Sequence, residues 1–214
     1  IKVALQYFFN KGEKKTTIIA FENAFHGDTF AAMAASGISF YTLAFQSMMI
    51  DVVRIPVPVE GQEEVSSDAL AEVLKNHNCA GFIYEPLVQG AAGMVMYEPT
   101  ALDTLIRMCK DNNVLTIADE VMTGFGKTGK TFASDYLVEQ PDVMCLSKAL
   151  TGGTIPMAIT TFTQTIFDAF YDEDINKALF HGHTFTANPT GCAAALASLE
   201  LLQTPEMQAN ILRV

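Results

Sequence analysis

Two residues of this chain have types and positions that could do chemistry. Asp119 closes the apolar run Val114–Val121 (V-L-T-I-A-D-E-V), and Lys148 follows a second apolar run in C-L-S-K-A-L-T-G-G. An ionisable group at the carboxyl end of a buried strand is costly unless something pairs with it. Taken singly, each has an ordinary reading: Asp119 as a turn or N-cap aspartate, Lys148 as a solvent-facing loop lysine. Glu120 is expected to face outward or to pair with a nearby base. The two residues lie 29 positions apart. One crossover between their strands then puts both at the same edge of a sheet.

A pyridoxal 5'-phosphate (PLP) site needs such a pair. The lysine amine holds the cofactor aldehyde as a Schiff base, and the carboxylate keeps the pyridine nitrogen protonated. Once released, the amine is placed to carry the substrate's α-proton. Phe25, beside His26 and Gly27, is a candidate for stacking on a flat ring, against the plain alternative of a core phenylalanine. Two further patterns are weaker. Gly124–Thr131 matches the nucleotide-binding pattern G-x-x-x-x-G-K-[ST] letter for letter. Asp119 and Glu120 just before it would repel a triphosphate, and no later strand brings an obvious Mg²⁺-binding aspartate. His26, His181 and His183 lack the carboxylate or cysteine that would complete a metal site, so none is expected.

The elements that must position these residues alternate between strand and helix. Ile1–Phe9 reads as an amphipathic helix, Thr16–Phe21 as a strand and Gly27–Ser36 as a short helix. Asp51–Pro56 reads as a strand, and Asp68–Lys75 as a helix with a serine N-cap at Ser66 or Ser67. Ala80–Tyr84, Val114–Val121, Asp142–Leu146 and Met157–Phe162 read as strands. Pro99–Asn112 and Pro189–Leu202 read as helices. This order predicts an α/β fold with a mostly parallel central sheet and helices on both faces. No repeat and no low-complexity tract interrupts it.

Composition bounds the function. Half of the 214 residues are apolar and 17% are charged, so the chain is expected to bury a sizeable core and to have apolar surface to spare for a partner subunit. A net charge of −11 with no Lys/Arg cluster argues against nucleic acid. Cys79, Cys109, Cys145 and Cys192 form no C-x-x-C pair and read as reduced thiols of a cytoplasmic protein. No apolar run reaches the roughly 20 residues that a membrane-spanning helix needs.

The run I-A-D-E-V-M-T-G-F-G-K-T-G followed by C-L-S-K-A-L-T-G-G resembles the class III PLP-dependent aminotransferases of fold type I, and the resemblance covers nearly the whole chain. Phe25–Phe30 (F-H-G-D-T-F), Glu85–Tyr97 and His181–Pro189 narrow it to one branch, as does Met122, where ornithine- and GABA-type relatives place glutamine. That branch transfers an amino group from S-adenosylmethionine to 8-amino-7-oxononanoate in biotin synthesis. The resemblance implies roles. Lys148 matches the cofactor lysine and Asp119 the partner of the pyridine nitrogen. Val121 and Phe25 match the residues on the two ring faces, with His26 beside them. Glu85 matches a glutamate near cofactor and substrate. Asp28 and Gly182 fall on the substrate side. His183 and Thr184 match a segment reaching the cofactor phosphate of a neighbouring subunit, which implies a homodimer.

Two positions depart from the family pattern. Phe25 stands where tyrosine is usual, so a ring remains without its hydroxyl. Lys127 stands where arginine is usual, which keeps the charge and loses the two-pronged grip on a carboxylate. Both touch substrate handling, and another class III ω-aminotransferase is the alternative reading. Ile1 is not a methionine, and the chain reads as an internal fragment, residues 1–214 of a large PLP-binding domain. The resemblance places a glycine-serine phosphate loop before it and a small domain with a substrate-binding arginine after it. These 214 residues alone are therefore expected to be inactive or nearly so; turnover like that of an intact enzyme in a transamination assay would refute this.

Overall fold

Apolar runs bounded by turn residues become one six-stranded sheet. The computed structural model describes residues 1–37 and 42–213. In chain order the elements are α1 (Lys2–Asn10), β1 (Thr17–Phe21), α2 (Phe30–Ala35), β2 (Val52–Ile55), α3 (Glu63–Asn76) and β3 (Cys79–Tyr84). A two-residue ladder β4 (Val88–Gln89) and β5 (Val95–Met96) follows, then α4 (Pro99–Asp111), β6 (Leu115–Asp119), β7 (Val143–Leu146), β8 (Ile159–Phe162), α5 (Gln164–Asp168), α6 (Pro189–Leu202) and α7 (Pro205–Arg213). The sheet order is β2-β1-β3-β6-β7-β8. The first five strands run parallel, with Ile19 opposite Phe82, Ile83 opposite Ile117 and Ala118 opposite Met144. β8 closes the edge antiparallel, with Leu146 opposite Ile159.

The continuous apolar character of β1, β3 and β6 follows from burial on both faces. Side chains alternate along each strand. Ile19, Phe21, Phe82, Tyr84 and Ala118 pack beneath α3 and α4 through Leu70, Leu102, Leu105 and Ile106. Ile18, Ala20, Ile83 and Ile117 face the other way, against Ala4 and Phe8 of α1 and Ile166 of α5. Each fully buried aliphatic or aromatic side chain contributes about 1.5–3 kcal/mol. The expected α/β architecture with helices on both faces is therefore what forms.

The sheet also places a crevice. From β1 the chain passes to β2 on one side and then back to β3 on the other, so the strand order reverses between β1 and β3. In open parallel sheets, ligands bind beyond the carboxyl ends of the strands at such a reversal. Phe25 and His26 follow β1, Glu85 follows β3, Asp119 ends β6 and Lys148 follows β7.

Several local readings change. α3 begins at Glu63, and Ser66 and Ser67 lie inside it, donating to the carbonyls of Gln62 and Glu63 at 3.3 and 3.0 Å, so neither is an N-cap. Glu63 and Glu64 in the first turn favour the earlier start through the helix dipole. α2 begins at Phe30, because Gly27 has a positive φ of 121°, outside the helical region, and Thr29 is still extended (ψ 147°) as the N-cap residue. α6 has the expected bounds, with the Asn188 side chain accepting from Gly191 N at 2.7 Å and Pro189 in its first turn. The β4–β5 ladder, α5 and α7 have no counterpart in the sequence reading.

Glu120 corrects a second expectation. It is fully buried, and among the described residues it pairs with no base. Its carboxylate accepts from Ala133 N at 3.0 Å, from Ser134 N at 2.7 Å and from the Thr123 hydroxyl. It therefore ties the 121–134 loop to the end of β6. Glu120→Ala would strand these donors in the interior; we expect a loss of about 3 kcal/mol, read from the urea midpoint, whereas an unchanged midpoint would refute the tie.

Candidate active site

Six of the sequence-selected residues meet in one place. Phe25, His26, Glu85, Asp119, Val121 and Lys148 line a cavity of about 290 Å³. Gly90 and Met122 complete its wall. A β-carbon on Gly90 would come within 2.3 Å of the Met122 sulfur, so a larger residue there would push the flexible Met122 side chain out of its present place in the wall. Phe25, Gly27 and Ala91 are shared with an adjoining cavity of about 390 Å³, in which Asp28 is the only charged residue among the described lining residues.

Asp119 is held from two sides. His26 Nδ1 lies 2.7 Å from its Oδ2, and Val121 N donates to its Oδ1 at 3.2 Å. A carboxylate only accepts, so the imidazole proton of this pair sits on Nδ1. The His26 and Asp119 side chains are 1% and 9% exposed. His26 Nε2 is buried without a partner among the described residues. The His26 backbone N–H donates to Ser36 Oγ at 3.0 Å, which fixes the loop after β1.

Lys148 is presented differently. Its backbone has φ 43°, a left-handed conformation that is strained for a residue with a β-carbon. The surroundings enforce it: Ser147 Oγ donates to Met157 O at 2.7 Å, Ser198 Oγ of α6 donates to Ala149 O at 3.1 Å, and Gly152 (φ 60°) ends the turn. The lysine amine has no hydrogen bond or ion pair among the described residues.

Glu85 accepts from Gly90 N at 3.1 Å and Phe25 N at 3.5 Å. Burial raises its pKa above the ordinary 4.5; the Gly90 N–H, His26 and the Phe25 N–H offset part of this, and Asp119 adds to it.

The remaining candidates lie elsewhere. Lys127 is exposed in the 121–134 loop and lines neither cavity. Gly182, His183 and Thr184 are exposed in the segment before α6, also outside both. The nucleotide-loop match Gly124–Thr131 opens no helix. It runs into a single 3-10 turn, and Lys130 donates to Asp135 O at 2.8 Å while its amine lies 4.3 Å from the Tyr136 ring centroid. Among the described residues no group of His, Cys, Asp and Glu could hold a metal, and no helix is long and apolar enough to cross a membrane. Sequence reasoning missed Ser36 and Arg54, whose contacts arise only in the folded chain.

A strand-end lysine, a buried aspartate and an aromatic side chain thus line one cavity at the crevice of a parallel sheet. The family model for aminotransferase class-III matches residues 1–214, and the chain belongs to that family. It is 44% identical to the adenosylmethionine-8-amino-7-oxononanoate aminotransferase of Synechococcus elongatus, over 96% of this chain and 50% of that protein. It is 37% identical to the Geobacter sulfurreducens protein of that name, over 97% of this chain and 49% of the other. The solved Methanocaldococcus jannaschii adenosylmethionine-8-amino-7-oxononanoate aminotransferase superposes with a TM-score of 0.89 at 35% identity, covering 98% of this chain and 49% of that one. An amine transaminase from an uncultivated Pseudomonas species, solved in a PLP-bound form, gives 0.90 at 29% identity over 98% of this chain and 50% of the other. The chain thus spans about half the length of the curated relatives it matches.

The Glu85 shift gives a pH-dependent prediction. A raised folded-state pKa means stability that is fully present below about 4.5 and is lost as pH rises through the folded value. Glu85→Gln removes that loss. The apoprotein variant should melt above the parent at pH 7 and with it at pH 4; a variant that melts lower at pH 7 would sink this account.

Proposed function

We propose that these residues form the cofactor-binding part of a PLP-dependent aminotransferase that moves an amino group from S-adenosylmethionine to 8-amino-7-oxononanoate, giving 7,8-diaminononanoate for biotin synthesis. One observation carries the reading: Lys148 and Asp119, from neighbouring parallel strands, face one cavity, the first with an unengaged amine and the second with a carboxylate already oriented. The residues present fit PLP. Lys148 Nζ would bind the aldehyde carbon, Asp119 would pair with the pyridine nitrogen, and Phe25 and Val121 would flank the ring. When bound, PLP supplies an electron sink for the pair left by loss of the substrate's α-proton.

The chain's own residues do the rest. Asp119, oriented by His26 and the Val121 N–H, keeps a proton on the ring nitrogen. Lys148 Nζ takes the α-proton of the amino donor and returns one during the second half-reaction, when the amino group passes to the keto acid. Glu85 limits the space beside the ring. Asp28 sets a negative charge in the adjoining cavity, suited to a cationic donor such as S-adenosylmethionine, and Lys127 offers charge to a substrate carboxylate. Gly182, His183 and Thr184 serve the site of a second subunit, which accounts for their exposure here. Exposed apolar side chains in the same stretch of chain, Phe180, Phe185, Leu196 and Leu201, are consistent with a covered surface in a homodimer. The reduced-thiol pattern suits a cytoplasmic enzyme.

A second reading, another class III ω-aminotransferase, is favoured by Phe25, whose ring lacks a hydroxyl to select an acceptor. Borohydride reduction of the full-length protein with PLP should fix a chromophore to the parent and none to Lys148→Ala. Product analysis then separates the two readings: 7,8-diaminononanoate formed from S-adenosylmethionine and the keto acid supports the first, and no such product with turnover of simple amines supports the second. Absence of any Lys148-dependent adduct would overturn both.

A further inference from the structure

Arg54 sits on the edge strand β2, beside Ala20 of β1, and it is not part of either cavity. Its guanidinium is partly buried, and burial lowers its pKa. Among the described residues no carboxylate pairs with it. Its donors go instead to the end of α2: Nη2 donates to Ser36 O at 2.6 Å, Nε donates to the same oxygen at 3.2 Å, and Nη2 also reaches Ala34 O. A cation on the last carbonyls of a helix is stabilising. α2 has six residues, far too few to persist without tertiary anchors.

What α2 carries explains why it is anchored. Ser36 Oγ donates to Ala32 O at 2.9 Å and accepts from His26 N at 3.0 Å. Gly37 N donates to Ala24 O at 2.7 Å, and a β-carbon on Gly37 would meet the Asn23 backbone at 2.8 Å. Residues 36 and 37 are thus stapled to the loop that presents Phe25 and His26. From His26 the contact continues to Asp119 at 2.7 Å.

We propose that Arg54 is a positioning residue of the active site, acting through Ser36 and His26 to set the Phe25 ring and the orientation of the Asp119 carboxylate. This rests on the reading of that cavity as the PLP site. The arginine grips Ser36 O with two nitrogens, Nε and Nη2, a two-pronged hold that the point charge of a lysine lacks.

The test uses the full-length enzyme with Arg54→Ala and Arg54→Lys. PLP dissociation constants, the induced circular dichroism of bound PLP, kcat and KM are measured. Arg54→Ala should weaken PLP binding about tenfold, by analogy with outer-shell residues at metal sites. It should shrink the dichroic band and lower kcat with KM for the amino acceptor little changed. Millimolar guanidinium chloride should recover the band where sodium chloride does not, and Arg54→Lys should fall between. A wild-type band and PLP affinity in Arg54→Ala, or a loss that guanidinium leaves untouched, overturns the proposal. Should Arg54→Ala fail to fold, Arg54→Lys decides: a weakened band supports it and a wild-type band refutes it. If the parent itself forms no Lys148-dependent adduct, the site reading falls and the role of Arg54 falls with it. A parent that binds PLP normally beside an unaffected Arg54→Ala removes the Arg54 role alone.

Discussion

The site is organised around one carboxylate at the end of a strand that is buried on both faces. β6 has no exposed residue from Leu115 to Asp119. A carboxylate left unpaired there would cost several kcal/mol. The next residues of the chain supply one donor, the Val121 N–H, and the second comes from His26, 93 positions away. That partner has to be brought to the reversal of strand order and held there. The Ser36 and Gly37 staple to the loop after β1 does the holding. The positions of Phe25, Ser36 and the α2 helix are thus tied to the solvation of Asp119.

The adjacent carboxylate resolves the same problem in the opposite direction. Asp119 and Glu120 leave the end of β6 on opposite sides, as successive strand residues do. Asp119 faces the cleft, where one histidine and one amide leave part of it open to a ligand. Glu120 faces into the protein, where two amides and a hydroxyl engage it. One carboxylate is available for chemistry because the other has been spent on closing the loop that walls the cavity.

Much of this was legible in the sequence because burial on both faces leaves a continuous apolar run. The central strands and their carboxyl-end residues follow from that, and so does the meeting of Asp119 with Lys148. The start of α3 was not legible. Serine favours helix caps in general, but Ser66 and Ser67 bond to carbonyls one turn back, and the acidic pair Glu63–Glu64 fixes the earlier start. Glu120 was misread because nothing local distinguishes an outward carboxylate from one that clamps a loop 13 and 14 residues later. Ser36 and Arg54 carry no motif at all; their roles exist only once β2 lies beside β1. The exposed segment Gly182–Thr184 lines neither cavity of its own chain, and only under the proposed function does it serve a second subunit.

Lys148 shows how rigidity and freedom are divided within the site. Its backbone is held in the left-handed region by Ser147, Gly152 and Ser198, so strain there is sustained by several independent contacts. Its amine, in contrast, has no partner among the described residues. Under the proposed function the amine must hold the cofactor, release it and carry a proton within one cycle. A salt bridge to Asp119 or Glu85 would oppose each of these steps. The fold avoids that outcome by giving both carboxylates other donors, His26 and Val121 for Asp119, Gly90 and Phe25 for Glu85. The hydrogen bonds around the two acids therefore serve the lysine as much as the acids themselves.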